Sequence, residues 1–302
     1  MHDIIKVSGM TKDYGNDRGI FGFDFSVKKG EAFGIVGTNG SGKTTTLRHL
    51  MGFLKPDKGS CSIMGMDCRR KAHKIMKHIG YVPGDIDFPD VGSGTSFLKI
   101  QADFLGIKDT KYINELVDLF KIDTDAPLKR MSKGMKQKTA LVCAFMAKPD
   151  IYLLDEPSTG LDPLMRDTLI ELILREKKRG ATIVMSSHIF KELEDTCDRV
   201  LFIHNGKQVE TADRKMFENS TVERYRIGFK GDNEYRQFIN NTVFEVYHTN
   251  DRFLHTDINV PRDRIGEMFE EFSEYDLRYM KYRPYTLENY YTDVMETGGI
   301  LL

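Results

Sequence analysis

Gly37-Thr38-Asn39-Gly40-Ser41-Gly42-Lys43-Thr44 follows a short apolar run at 32–36 and opens a helix-forming stretch at 44–51. Strand, glycine-rich turn and helix together are the setting in which a phosphate loop works. Glycines at 37, 40 and 42 let backbone N–H groups turn toward anionic oxygens, and the helix start adds favourable partial charge. Lys43 can neutralise β- and γ-phosphates. Thr44 offers a hydroxyl to Mg²⁺, and Thr45 is a weaker phosphate contact. A nucleoside triphosphate is the expected ligand.

A second stretch supports that expectation. Ile151-Tyr152-Leu153-Leu154-Asp155-Glu156 is an apolar strand ending in two carboxylates. Asp155 at the strand end can orient Mg²⁺ directly or through water. Glu156 points to the other face, where it can polarise an attacking water.

The rest of the first two-thirds alternates strand and helix. Strands are expected at 61–64, 79–82, 182–185 and 200–203, and helices at 70–78, 135–146, 165–178 and 190–195. That alternation predicts a mostly parallel sheet with helical crossovers. From about 89 to 128 it stops, and 97–105 and 112–120 read as helices of an insertion. Asn205-Gly206 predicts a tight hairpin turn. Beyond about residue 220 the chemistry changes. Residues 219–302 hold 15 of the 32 Phe and Tyr residues and 15 acidic against 10 basic groups. Strands at 224–229 and 243–248 and a helix at 262–272 suggest a small α+β domain. Its aromatics could fill a core of its own or form a docking face.

Composition narrows the partners. The 302 residues carry a net charge of -1 and 29% charged side chains, so no basic excess points to nucleic acid. No signal peptide or run of transmembrane length is visible. Any membrane function then needs another subunit to do the spanning. Cys61, Cys68, Cys143 and Cys197 lack compact zinc spacing and read as reduced thiols.

With Met131-Ser132-Lys133-Gly134-Met135 lying between the phosphate loop and Asp155-Glu156, the chain resembles the ATP-binding subunit of an ABC transporter, most of all the bacterial ABC-2 exporters. The resemblance covers nearly all of 4–215, and more weakly the segment Pro284-Tyr285-Thr286-Leu287-Glu288-Asn289-Tyr290. It implies a P-loop NTPase fold of the ABC ATPase type. A nucleotide-binding domain would span 1–218, with a helical subdomain at about 89–148 and a C-terminal accessory domain at 219–302. It also implies ATP and Mg²⁺ as cofactors. The partners it implies are a membrane-spanning permease and a second copy of this chain or a related ATPase subunit. The chain would sit at the cytoplasmic face of the membrane, held there by the permease.

Residue roles follow by the same resemblance. Ser132 and Gly134 would contact the γ-phosphate held by the opposite subunit, consistent with a serine hydroxyl and bare N–H groups at a helix start. Tyr14, in Lys12-Asp13-Tyr14-Gly15, would stack on adenine, although an aromatic there could equally pack in the core. Asp162, in Thr159-Gly160-Leu161-Asp162, would communicate between paired sites. His188, in Ser186-Ser187-His188, would sense the γ-phosphate and position water.

Two positions depart from the family pattern. Gly84 stands where a glutamine normally contacts Mg²⁺, so that contact cannot be carried over. Asp85 could approach the metal by a one-residue shift, or cap a turn, or face solvent. Lys133 replaces a common glycine, as it does in some ABC-2 subunits. With Lys43, Asp155, Glu156 and His188 all present, hydrolysis is expected, powering export. A soluble ABC ATPase acting on a protein or nucleic-acid assembly is the alternative. An adjacent gene for a multi-span protein would favour the transporter.

Overall fold

A computed structural model describes residues 2–214 and 222–296. The chain divides into two compact units, Met1–Arg214 and Lys215–Leu302. The boundary expected at 218 lies outside the described residues.

In the first unit the strands with the most apolar sequence take the centre of a six-stranded sheet. β3 (Ala32–Val36), β7 (Ile151–Asp155) and β8 (Thr182–Ser187) are buried at every residue. This is the signature of parallel strands covered on both faces. They lie between β6 (Ile79–Val82) on one side and β9 (Arg199–His204) with β10 (Lys207–Asp213) on the other, in the order β10-β9-β3-β8-β7-β6. All pairs are parallel except β9 with β10. That hairpin turns at Asn205 and Gly206, both at positive φ (46° and 72°), as a two-residue primed turn requires.

A second, antiparallel sheet runs β2-β1-β4-β5, from β1 (Asp3–Asp13), β2 (Gly19–Lys28), β4 (Lys58–Ile63) and β5 (Met66–Asp67). The two sheets enclose α1 (Lys43–Leu50). Phe25 and Phe33 stack at 5.3 Å, and Leu47, Leu50, Ile63 and Leu153 are fully buried in the same core. Each such leucine or isoleucine contributes on the order of 2 kcal/mol by leaving water. The expected helix at 70–78 is only one turn, α2 (Ala72–Ile75), followed by a 3-10 turn at Met76–His78. Ile75 is its one buried residue, so no apolar stripe holds a longer helix. Cys61 and Cys68 face each other near the β4–β5 turn, where the Cys68 N–H donates to the Cys61 carbonyl at 3.1 Å; all four cysteines are free.

Between β6 and β7 the insertion supplies α3 (Gly94–Phe104), α4 (Lys111–Phe120) and α5 (Lys133–Phe145). A polar knot ties α4 to the sheet. Glu176, buried on α6 (Pro163–Lys178), accepts from the Tyr152 hydroxyl at 2.9 Å and from the Tyr112 hydroxyl of α4 at 3.3 Å. The Arg179 guanidinium donates to it at 2.7 Å. Burial, and then the charge of Glu176, push the Tyr152 hydroxyl pKa well above its ordinary value. α7 (Phe190–Thr196) completes this unit's helices among the described residues. Among the described residues of either unit, no helix is long and apolar enough to cross a membrane.

The second unit is a β-α-β-β-α-β arrangement. β11 (Val222–Phe229), α8 (Asp232–Asn241), β12 (Glu245–Asn250), β13 (His255–Pro261), α9 (Ile265–Phe272) and β14 (Leu277–Tyr282) make a sheet ordered β12-β13-β11-β14. α10 (Leu287–Glu296) follows, so the 284–290 segment becomes a helix entry. Part of the aromatic set builds a core of the unit's own, the first of the two readings of the sequence. Phe229, Tyr235, Phe238, Phe244 and Phe272 fill the core, while Tyr247, Phe253, Phe269, Tyr279 and Tyr282 are exposed.

Glu176→Ala removes the acceptor shared by two tyrosines and Arg179. It should lower unfolding stability by roughly 2–4 kcal/mol, read from the shift in a urea melt.

Candidate active site

The site is built where parallel strands end. The loop after β3 wraps back so that Lys43, the first residue of α1, donates to the Gly37 carbonyl at 2.7 Å and the Thr38 carbonyl at 3.4 Å. Glycine is sterically required at two points of the turn. A Cβ on Gly37 would lie 2.3 Å from the Ile203 carbonyl oxygen. On Gly42, at φ 110°, it would lie 2.4 Å from the Ile20 side chain. The loop is therefore pressed against its neighbours, which holds its N–H groups in place.

β7 delivers the two carboxylates to opposite environments. Asp155 is fully buried; the Ser186 hydroxyl donates to its Oδ1 at 2.6 Å, while Oδ2 is buried without a partner. Glu156 turns out into the cavity because its backbone is left-handed (φ 48°), a costly state for a non-glycine residue. Two hydrogen bonds hold it there: its N–H donates to the Ser186 carbonyl at 3.1 Å and to the Ser186 hydroxyl at 3.0 Å. One Glu156 carboxylate oxygen lies 3.2 Å from Lys43 Nζ and the other 2.5 Å from His188 Nδ1.

Lys43, Glu156 and His188, but not the buried Asp155, border a cavity of about 450 Å³. Its walls include Tyr14, Asn39, Gly40, Gly42, Lys43, Thr44, Thr45, Glu156 and His188, all singled out from the sequence. Tyr14 is half exposed rather than packed in a core, and Lys12 Nζ sits 5.8 Å from its ring centre. The walls also include Arg18, Gly19 and Thr159. Arg18 was missed: its local signal is weak, a lone cation in a turn whose carbonyl accepts from the Tyr14 N–H at 2.8 Å.

Other expected residues lie off the cavity wall. Gly37, Thr38 and Ser41 form the back of the loop, and Ser41 is buried with its hydroxyl unpaired. Ser132 caps α5 by accepting from the Met135 N–H at 3.2 Å, with Gly134 next to it in the first turn. Asp162 caps α6 by accepting from the Met165 N–H at 2.9 Å. None of these three borders the cavity of its own chain. Asp85 is solvent-exposed and does not border it either; Gly84 does.

The oxygen donors suit a hard divalent cation: the Thr44 hydroxyl on the wall, and Asp155 with one buried, unpaired carboxylate oxygen. A Cβ at Gly84 would lie 2.8 Å from Asp155 Oδ2, so the missing side chain leaves that oxygen unobstructed. Tyr81, on the neighbouring strand β6, has its pKa pushed up to about 12, by burial and then by the charge of Asp155.

Residues 20–159 match the family model described as ABC transporter. The bacitracin transport ATP-binding protein BcrA of Bacillus licheniformis is 35% identical over 213 residues, covering 70% of each chain. The chain belongs to the ABC transporter ATP-binding family. Another similar protein is the Nod factor export ATP-binding protein I of Ralstonia nicotianae, 32% identical across 68% of this chain and 66% of that one. A solved structure of an ATP-binding subunit of an ABC transporter superposes with a TM-score of 0.65 at 29% identity, covering 71% of this chain and 92% of that one. As a member of this family the chain is an ATP-hydrolysing subunit that works with a separate membrane permease. Use of ATP and Mg²⁺ follows from the membership.

Gly84→Ala should crowd the Asp155 carboxylate. The Mg²⁺ concentration for half-maximal ATPase activity is expected to rise about tenfold, with Mg²⁺-free nucleotide binding unchanged, measured by titrating Mg²⁺ and by nucleotide fluorescence.

Proposed function

We propose that this chain drives export by hydrolysing ATP at sites shared between two copies. The carrying observation is the Lys43–Glu156–His188 contact at the cavity wall. In this reading Lys43 and the N–H groups of the phosphate loop bind the β- and γ-phosphates. Tyr14 stacks on the adenine. Thr44 and Asp155 hold Mg²⁺, which when bound neutralises charge on the phosphates. The γ-phosphate competes with Glu156 for Lys43. Glu156, so released, accepts the proton of the attacking water while His188 orients it.

Ser132, Gly134 and Asp162 support the two-copy arrangement because each sits at a helix start away from its own cavity. In a head-to-tail pair the α5 start, with a hydroxyl and unpaired N–H groups, closes the partner's site. The export direction rests on the relatives, one described as a Nod factor export protein and one as a bacitracin transport protein. The proposed location is the cytoplasmic face of the membrane, held by the permease. Of the three readings of Asp85, the metal contact forms no part of this proposal, because that side chain faces solvent.

Glu156→Gln keeps the shape and removes the base. Its ATPase rate is expected to fall about 10²–10⁴-fold with ATP binding retained, measured by phosphate release and equilibrium binding. A rate equal to wild type would contradict the assigned role.

A further inference from the structure

Gln137 lies within the polar run Lys136-Gln137-Lys138, yet it is buried, one turn into α5. Its Nε2 donates to the Pro157 carbonyl at 2.8 Å. The orientation is dictated by the partner, since a carbonyl can only accept. Pro157 directly follows Glu156 and is itself buried. A second contact lies a few residues away. Gly134 packs so closely on the segment 156–162 that a Cβ there would lie 2.6 Å from the Gly160 carbonyl oxygen. Gly160 itself is left-handed (φ 81°). The start of α5, bearing Ser132, is thus fastened at two points to the segment running from Glu156 to Asp162.

We infer that Gln137 is a positioning residue that makes Ser132 and Glu156 of one chain move as one body, and so couples two nucleotide sites. This rests on the two-copy reading, in which Ser132 serves the partner's ATP and Glu156 its own. A γ-phosphate that draws Ser132 toward the partner's site then shifts Pro157, and with it the carboxylate that acts on the other ATP. Discrete coupling of this kind needs a stiff link between the elements. A buried side chain–carbonyl hydrogen bond beside a glycine–glycine contact supplies one.

The test uses the full chain and ATP. Gln137→Met keeps the volume and removes the donor. Its kcat should fall about tenfold and its Hill coefficient should drop from near two toward one, with ATP affinity nearly unchanged and the melting temperature lowered by only a few degrees for the lost donor. Wild-type kcat and cooperativity in this variant would overturn the inference. Gln137→Glu adds a readout that packing alone would not move. Only its protonated carboxyl can donate to Pro157, whereas the ionised form repels the carbonyl, and burial raises the carboxyl pKa. The Gln137→Glu to wild-type activity ratio should therefore rise as pH falls from 8 toward 6. A flat ratio would overturn the coupling, and this series decides the matter even where the Met variant folds poorly. ATP-dependent pairing of Glu156→Gln, followed by sedimentation, separates the two levels. A pair that forms while both Gln137 variants behave as wild type sinks only this inference, whereas no pair sinks the reading beneath it.

Discussion

Parallel pairing of β3, β8 and β7 brings Val36, Ser187, Ser186 and Asp155 to one end of the sheet, in register Val36↔Ser187 and Asp155↔Ser186. Everything in the site hangs from that alignment. The strands are buried on both faces, so a slip of one residue would turn apolar side chains and their backbone partners out of place together. The phosphate loop, Glu156 and His188 are the next residues beyond these strand ends. Their positions are therefore set by the core, not by the loops alone.

Electrostatics then shapes what the alignment brings together. Lys43 is nearly buried and lies between carbonyl oxygens and Glu156. A buried cation needs such partners, and a phosphate is a stronger one of the same kind. In the proposed reaction the resting ion pair is thus exchanged for a lysine–phosphate pair. Glu156 is held for that exchange by a left-handed backbone that two Ser186 hydrogen bonds compensate.

The parts of the molecule legible in the sequence were those where chemistry and periodicity agree. β3, the loop and α1 announce themselves through glycine spacing and Lys43, and β7 through four apolar residues before two carboxylates. The long strands β1 and β2 did not stand out. Their pairing is broken by register shifts between Val7 and Met10 and between Met10 and Lys12, which disrupts simple alternation. The 70–78 stretch looked helical by composition but lacks the buried face that would sustain more than a turn. Arg18 and Gln137 were hidden for opposite reasons. Arg18 reaches the cavity from a turn without periodicity, and Gln137 is buried inside a run that reads as solvent-facing. The unobstructed space between Gly84 and Asp155 depends on how two strands pack, which spacing along one chain does not encode.

The central claim is that one chain holds half of each working site, and sedimentation in the presence of ATP tests it most directly. Glu156→Gln, which retains ATP, should convert from one copy to two when ATP is added. The same chain carrying Ser132→Arg should bind ATP as tightly and remain a single copy, because the block falls on the partner's site. Weakened ATP binding by the isolated Ser132→Arg chain, or pairing that survives the substitution, would contradict the account.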